Sequence, residues 1–227
     1  MSELKWDQVG ERFYETGVKK CALFVYDNET KSYGKGVAWS GITSISESPS
    51  GAESNPIYAD DTKYLDLLSA EQLGLTIEAY QSPAEFDACD GTATLGKAGV
   101  VFGQQSRKAF AVAYITTEGN DTDGNDYGEK LHIVYGCKAS PSERSYSTIN
   151  DSPEAMTLSW TISTTPVEVT KIAGAKPTSR VIVDKVALGD TLYKKITDSI
   201  YGTSDTEPTM LLPDAIYDLV NASQVNG

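Results

Sequence analysis

The residue types that most often carry catalysis are sparse in this chain of 227 residues. It contains one histidine, His132. This histidine lies on the polar side of a strand pattern whose apolar side is Leu131, Ile133 and Tyr135. No Cys, Ser or Asp stands at the spacing of a nucleophile motif around it. We therefore expect an exposed strand histidine without a catalytic role, and a single histidine also argues against His-rich zinc sites.

The three cysteines, Cys21, Cys89 and Cys137, are odd in number and far apart in the sequence. None of them belongs to a CxxC or Cys/His pattern of the kind that metal and redox sites require. We predict buried free thiols, because an unpaired cysteine usually behaves as a small apolar residue.

An acidic segment at residues 121–126 (DTDGND) resembles a calcium loop only superficially. Calcium needs several oxygens from one loop, but the EF-hand pattern places Gly at the sixth position and Glu at the twelfth. Here the twelfth residue counted from Asp121 is His132. The segment is better explained as a solvated hairpin turn, and we predict no metal site.

Other possible chemistry is weakly supported. A glycosidase needs two carboxyl groups at a set separation, but 32 acidic residues make some such pair inevitable. Trp6, Trp39 and Trp160 could stack on a sugar, although Trp160 falls in the inward set of its strand. The glycines of residues 96–103 are spaced GxxGxxxG, which matches no phosphate-binding loop. We predict that the protein is not an enzyme and has no cofactor.

The elements that hold these residues are predicted to be mainly antiparallel β. Short alternating runs rich in Tyr, Thr, Ser and Val are separated by Gly, Pro and Asn. In one run, Ala109, Ala111 and Ala113 form a face small enough for a helix or a second sheet to approach closely. About seven strands predict a two-sheet sandwich or barrel. The expected strands are Lys19–Tyr26, Val37–Ser46, Leu73–Ala79, Arg107–Thr117, Leu131–Cys137, Met156–Ser163 and Arg180–Val186.

Helix signals are few. A capping box at residues 82–85 (SPAE), followed by Gly91, predicts a flanking helix over Pro83–Asp90. A second helix is expected between Asp190 and Gly202, and a third from Pro213. We therefore expect a β domain over residues 1–190 and a partly helical C-terminal extension over residues 191–227, which packs on the same domain or on a neighbour.

Residues 37–80 predict a protruding β-arm. A strand leads into a soft bend at residues 46–56, and a second alternating strand ends at Tyr80. Residues 47–90 hold ten carboxylates and one cation, Lys63. An acidic arm that also carries apolar side chains needs a surface to lie against. We place the arm at residues 46–64, and the candidate interface residues are Pro49, Pro56, Ile57, Tyr58 and Tyr64.

The overall charge bounds the possible partners. The formal net charge is −13, which disfavours affinity for the phosphate backbone of a nucleic acid. The N-terminal residues are charged throughout, and no run of about 20 apolar residues could cross a bilayer. We expect a protein made in the cytoplasm that does not contact a membrane.

Three segments carry a resemblance to a known family. They are residues 41–51 (GITSISESPSG) with residues 57–61 (IYADD), residues 75–86 (LTIEAYQSPAEF), and the closing run 192–213 with residues 201–203 (YGT) and 207–213 (EPTMLLP). Together they resemble the major tail proteins of long, non-contractile-tailed phages, of the phi13 type. The likeness extends over nearly the whole chain, and it is made of turn and strand residues.

This resemblance implies a structural virion protein of the tail. It implies two packed antiparallel sheets with a flanking helix, assembled as six-subunit rings that stack into a hollow tail tube and conduct DNA during ejection without specific binding. The arm, residues 1–16 and residues 191–227 would contact neighbouring copies of the chain. The tail terminator and the baseplate or distal tail proteins would be further partners, and the protein would be made in the host cytoplasm.

The side that Glu78 faces and two alternative functions stay open. Glu78, on an alternating strand, is the candidate acid facing the tube lumen, although it would equally suit a strand that faces the outer solvent. A carbohydrate-binding β-sandwich module is the alternative function, and it would require an aromatic cluster on an open face. A carboxylate-based hydrolase is a weaker third possibility.

Overall fold

The computed structural model describes residues 3–94, 96, 99–149, 151 and 154–224. Within them the chain is mainly β, as predicted, and every strand pair is antiparallel. The first seven strands are β1 (Phe13–Asp27), β2 (Ser32–Tyr33), β3 (Val37–Ala38), β4 (Ile42–Ser50), β5 (Ser54–Ala59), β6 (Thr62–Leu68) and β7 (Gln72–Ala79). The others are β8 (Ala93–Thr94), β9 (Val101–Phe102), β10 (Phe110–Asn120), β11 (Gly124–Ala139), β12 (Leu158–Ser163) and β13 (Arg180–Asp184).

Nine strands form one sheet with the order β2-β1-β10-β11-β12-β7-β4, to which β3 adds on β1 and β13 adds on β11. The two remaining pairs, β5–β6 and β8–β9, are separate two-stranded hairpins. The large sheet therefore has two sections that share β11: β1, β10 and β13 belong to the first section, and β12, β7 and β4 to the second.

Strand β11 joins the two sections because it changes its partner along its length. Residues Lys130–Val134 pair with β13, whereas Lys138 and Ala139 pair with β12. The change takes place at Gly136, whose φ is 60°. A Cβ atom there would lie 2.1 Å from the carbonyl oxygen of Thr165, and the Thr165 N–H donates to the Gly136 carbonyl at 3.0 Å. Only a residue without a side chain fits this crossing.

The two sections of the sheet face each other across an aromatic core. Phe86 is fully buried at its centre. Its ring centroid lies 4.5 Å from that of Trp39, 5.2 Å from Trp160 and 5.3 Å from Phe110. Aromatic side chains bury the most area per residue, and these tilted and edge-on contacts are the arrangements they prefer.

A second core lies on the opposite face of β1, β10 and β11, under the C-terminal helices α3 (Asp190–Tyr201) and α4 (Pro213–Gln224). Ile196 and Ile200 of α3 are fully buried there, in the same cluster as Ala111 and Ala113 of β10. The small alanine face thus admits a helix, as its sequence pattern predicts. The central strands are consequently buried on both faces.

The predicted helices are confirmed with changes at their ends. Helix α3 spans the expected segment, and α4 begins at Pro213. The segment Pro83–Asp90 is a 3₁₀ turn, Ala84–Phe86, followed by the short helix α1 (Asp87–Asp90), and it ends at Gly91. The expected capping box is wrong, because no described side chain caps this segment. The end of the predicted strand Arg180–Val186 is instead a helical turn, α2 (Lys185–Leu188), whose N-terminus Asp184 caps by accepting the Ala187 N–H at 3.0 Å.

No helix among the described residues combines the length and the apolar character that spanning a membrane requires.

The crossing at Gly136 gives a first prediction. We expect Gly136→Ala to lower the free energy of unfolding by about 3 kcal/mol or more, because backbone strain and a clash with Thr165 add together. Gly124→Ala is the matched control, since its φ is 58° and nothing lies within 4 Å of its Cβ position. The control should lose only about 1 kcal/mol. Urea unfolding of the two variants measures both, and equal losses would contradict a steric role for Gly136.

Candidate assembly surfaces and a buried polar cluster

The arm is a ribbon built in two stages. Strands β4 and β7 pair along their length as far as Ser50 and Gln72, and the separate hairpin β5–β6 continues beyond them. The tip is a two-residue turn at Asp60 and Asp61, with φ values of 50° and 57°. This is the left-handed geometry of a type I′ turn, which Asp tolerates and which matches the twist of the strands.

The expected soft bend at residues 46–56 is therefore wrong. Residues 47–50 continue β4 and residues 54–56 begin β5, so the irregular part shrinks to residues 51–53. Pro49 and Pro56 misled the prediction, because proline usually interrupts a strand. Both lie on strands with only one partner, β4 and β5, where a missing N–H can be tolerated. The Asp-Asp pair between alternating residues is the signal that would have located the turn.

All five predicted interface residues lie at exposed positions of the arm. Tyr58 and Tyr64 are 67% and 70% exposed. Ile57 pairs across the hairpin with Leu65, and Leu67 follows on the same face, so one face of the arm presents three large apolar side chains to solvent. Every residue of β5 and β6 is exposed.

The arm is joined to the body at a narrow waist. Gly51, with φ 84°, passes so close to the opposite chain that a Cβ atom would lie 2.2 Å from the Ala70 carbonyl oxygen. Beside the waist is a cleft of about 770 Å³, lined on the arm side by Leu68 and Glu71 and on the body side by Lys176 and Arg180. The arm therefore stands away from the body at its root.

The N-terminal segment is a second exposed apolar surface. Leu4, Trp6 and Val9 are each more than 70% exposed. The segment is attached to the β10–β11 turn, because the Gly10 N–H donates to Asp121 at 2.9 Å. It lies within residues 1–16, for which the family resemblance implies contacts with neighbouring copies.

The outer face of β4, β7 and β12 is rich in hydroxyl groups. Residues of the three strands lie side by side across it: Ser44, Glu78 and Ser159 in one row, Ser46, Thr76 and Thr161 in the next, then Ser48, Gly74 and Ser163. Glu78, the predicted lumen-facing acid, is half-buried and accepts a hydrogen bond from the Ser44 hydroxyl at 2.9 Å. It is the single charged residue in these three rows, so this surface is polar and nearly uncharged.

The prediction of an exposed His132 is wrong. The residue is only 7% exposed, because the face of β11 that carries it is also covered, by Tyr114 of β10 and by Glu47 of β4. Its ring stacks on Tyr114, the cross-strand partner, with centroids 4.8 Å apart and planes 2° from parallel. The imidazole Nε2 lies 2.9 Å from the Thr116 hydroxyl and 3.2 Å from Glu15 Oε1.

Two charged groups complete this polar cluster. Glu47 of β4 accepts a hydrogen bond from the Tyr114 hydroxyl at 2.8 Å and forms an ion pair with Arg180 of β13. Burial raises the pKa of Tyr114 well above its ordinary range, and the neighbouring Glu47 carboxylate adds to this effect. Tyr114 therefore stays protonated at neutral pH and can donate its hydroxyl hydrogen to Glu47.

The cluster could not be assembled from the sequence, because its members come from five different strands. One signal was available. Glu47 follows Ile45 on the inward side of the β4 alternation, where an acid requires a partner. The cluster has the residue types of an acid–base site, but it is packed among the strands.

All three cysteines are buried free thiols, as expected. Burial raises the pKa of both Cys21 and Cys89 to about 12, so the thiols stay protonated and unreactive.

The acidic segment is the turn between β10 and β11, and Asn120 closes it by accepting the Asp123 N–H at 2.5 Å. Within the described part of the chain, no group of three His, Cys, Asp or Glu residues could hold a metal ion.

The tryptophans do not form a platform for sugar binding. Trp39 and Trp160 are buried in the aromatic core, with ring centroids 5.4 Å apart. Trp6 is exposed but belongs to the N-terminal segment, away from these two in the chain. The exposed aromatic cluster that a carbohydrate-binding module would require is therefore not made by these three residues.

Neither a protein-family model nor a curated protein matches this chain.

The waist of the arm gives a second prediction. We expect Gly51→Ala to misalign β5–β6 against β4–β7, because the new methyl group would overlap the Ala70 carbonyl. Gly174→Ala is the control, as its φ of 79° is similar and its Cβ position is open. Hydrogen exchange of the amides of residues 54–68 should accelerate in the first variant only, with exchange in β10 and β11 unchanged in both. Unchanged protection of the arm in Gly51→Ala would show that the waist does not hold it.

Proposed function

We propose that this chain is a structural protein of a phage tail, which polymerises through copies of itself into a hollow tail tube that conducts DNA. The observation that carries the proposal is the β5–β6 hairpin. Within the part of the chain that the structure describes, it pairs with no other strand, and it is exposed along its whole length. The resemblance of the sequence to major tail proteins supports the same function.

The exposed apolar face of the arm supports contact with another copy of the chain. A two-stranded hairpin alone is only marginally stable in water. This one also presents Ile57, Leu65 and Leu67 together on one exposed face. A single chain does not cover this face, whereas a neighbouring copy in a ring or a stack would do so. Burial of each such side chain contributes about 1.5–3 kcal/mol.

The surface chemistry supports a conduit for DNA. A wall with few fixed cations binds phosphates weakly, so a polyanion can slide along it. The hydroxyl rows of β4, β7 and β12 provide such a wall, and Glu78 adds only negative charge. We propose that this face lines the bore and that the arm and the N-terminal segment make the contacts between copies. The tail terminator and baseplate proteins would then meet the two ends of the tube.

Negative-stain electron microscopy of the purified protein tests the function directly. We expect rings or tubes with an axial channel, and analytical ultracentrifugation should show mass increasing with concentration. A species that stays monomeric at high concentration and moderate salt would contradict the proposal.

The arm itself can be tested by removing its apolar face. We expect the double variant Ile57→Ser/Leu65→Ser to weaken association by about 100-fold, because two apolar contacts are worth roughly 3 kcal/mol. Val101→Ser/Phe102→Ser is the control, since it removes two exposed apolar residues from the other separate hairpin. Sedimentation measures both variants. Equal weakening would indicate nonspecific hydrophobic association.

A deletion gives an independent test. Removal of residues 52–70 leaves Gly51 and Glu71 between the paired residues Ser50 and Gln72. A two-residue connection with Gly first suits a type II′ hairpin turn, so the body should keep its circular dichroism spectrum and its thermal transition. We expect the shortened protein to stay monomeric. If it forms normal tubes, the arm is not an assembly element.

A further inference from the structure

The single histidine of the chain lies between carboxylates of the two exposed segments. Glu15 belongs to β1, which continues directly from the N-terminal segment, and it lies 3.2 Å from Nε2. Glu47 belongs to β4 at the root of the arm, and its Oε1 lies 3.9 Å from Nδ1. The two ring nitrogens therefore face two different parts of the molecule.

The hydrogen bonds around Nε2 assign the tautomer. The Thr116 hydroxyl lies 2.6 Å from Glu15 Oε1, and a carboxylate can only accept, so Thr116 donates its hydrogen to Glu15. The Thr116 oxygen is then free to accept, and it lies 2.9 Å from His132 Nε2. In the neutral ring, Nε2 consequently carries the hydrogen and Nδ1 carries a lone pair.

The Nδ1 side is unsatisfied in this state. Among the described residues no group forms a hydrogen bond with Nδ1, although the atom is buried. Its lone pair faces a carboxylate oxygen, which is also an electron-rich acceptor. One additional proton on Nδ1 would change this unfavourable pair into a donor and an acceptor. The gap would have to close by about 1 Å to form a hydrogen bond.

We propose that His132 is a proton-sensitive tie between the root of the arm and the N-terminal strand. A solvent proton taken up at Nδ1 gives an imidazolium that donates to Glu47 through Nδ1–H and to Glu15 or Thr116 through Nε2–H. In the neutral state only the second link exists. An effect of this tie on the contacts between copies rests on the proposed function. The tie itself is a property of the isolated chain.

Groups on the neighbouring strands hold the two carboxylates that the tie requires. Arg180 of β13 and the Tyr114 hydroxyl of β10 both contact the Glu47 carboxylate and hold it in place. Burial acts to raise the pKa of Glu15, but hydrogen bonds from Thr116 and Lys130 outweigh it and lower this pKa. Lys130 also lies 3.1 Å from Glu118. The lowered pKa keeps Glu15 available as an acceptor in mildly acidic solution.

The direction of the pH effect follows from the state of the histidine. Burial lowers the pKa of His132 below its ordinary value, and the attraction of Glu15 and Glu47 offsets this only in part. The ring is neutral at pH 7. Because the unfolded chain takes up the proton first, at about pH 6.5, the folded state loses stability as the pH falls below that value. The tie therefore forms in mild acid at some cost to global stability.

Nuclear magnetic resonance measures the histidine directly, since histidine labelled with ¹⁵N gives the signals of one residue. We expect the Nε2–H tautomer at pH 7.5 and a titration midpoint below 6.5. Glu47→Gln should lower the midpoint further, by about one pH unit, because it removes a carboxylate that favours the imidazolium. Glu207→Gln, at an exposed acid paired with Lys35, should leave it unchanged. An Nδ1–H tautomer, or no response to Glu47→Gln, would overturn the tie.

Spin labels measure whether the arm responds. The native thiols are buried, so labels can be attached selectively through Asp61→Cys at the tip of the arm and Glu11→Cys before β1. At low protein concentration, we expect the distribution of distances between the two labels to become narrower when the pH is lowered from 7.5 to 5.5. Neither His132→Gln nor Glu47→Gln should show this narrowing, whereas Glu207→Gln should. Narrowing in His132→Gln, or a constant width while His132 titrates, would refute the proposal.

These measurements use monomers, so their outcome is independent of tube formation. Absence of rings in the microscope would contradict the proposed function and leave the tie intact. Rings without a response of the arm to pH would contradict the tie and leave the proposed function intact.

Discussion

Most of this structure depends on the crossing at Gly136, where β11 leaves one partner strand and takes up another. The carbonyl of Thr165 occupies the space that a side chain would need. Because β11 belongs to both sections of the sheet, they face each other across the aromatic core, and the opposite face of the first section is free to receive α3 and α4. Both hydrophobic cores thus share the same central strands.

This double burial explains which sequence predictions held. The mainly β fold, the alanine face of β10 and the inward position of Trp160 could be predicted. An alternating pattern shows which side of a strand is apolar, whatever that side packs against. The position of His132 could not. An alternating pattern indicates that one side is more apolar than the other, and it does not reveal whether the more polar side also faces a core. Strand β11 has an apolar neighbour on each face, so its polar side is packed as well.

The candidate sites also differ in how far the sequence could predict them. The arm was visible in the sequence, because its composition is local: acids, tyrosines and leucines within one stretch. Its turn was misplaced, since two prolines on strands with a single partner mimic a loop. The polar cluster was invisible because Glu15, Glu47, Tyr114, His132 and Arg180 meet only after five strands are in register. Their partners are separated by up to 133 residues in the chain, and no local pattern records such a meeting.

The turn at Asp60 and Asp61 has a thermodynamic consequence for any surface that receives the arm. A flexible loop would have to give up its conformational freedom on docking, and the free energy of that ordering would offset part of the favourable free energy of burying its side chains. The arm is already extended and closed at its tip, so much of that entropy is lost during folding. A small apolar patch on a preorganised hairpin can therefore bind more tightly than the same residues would on a disordered segment.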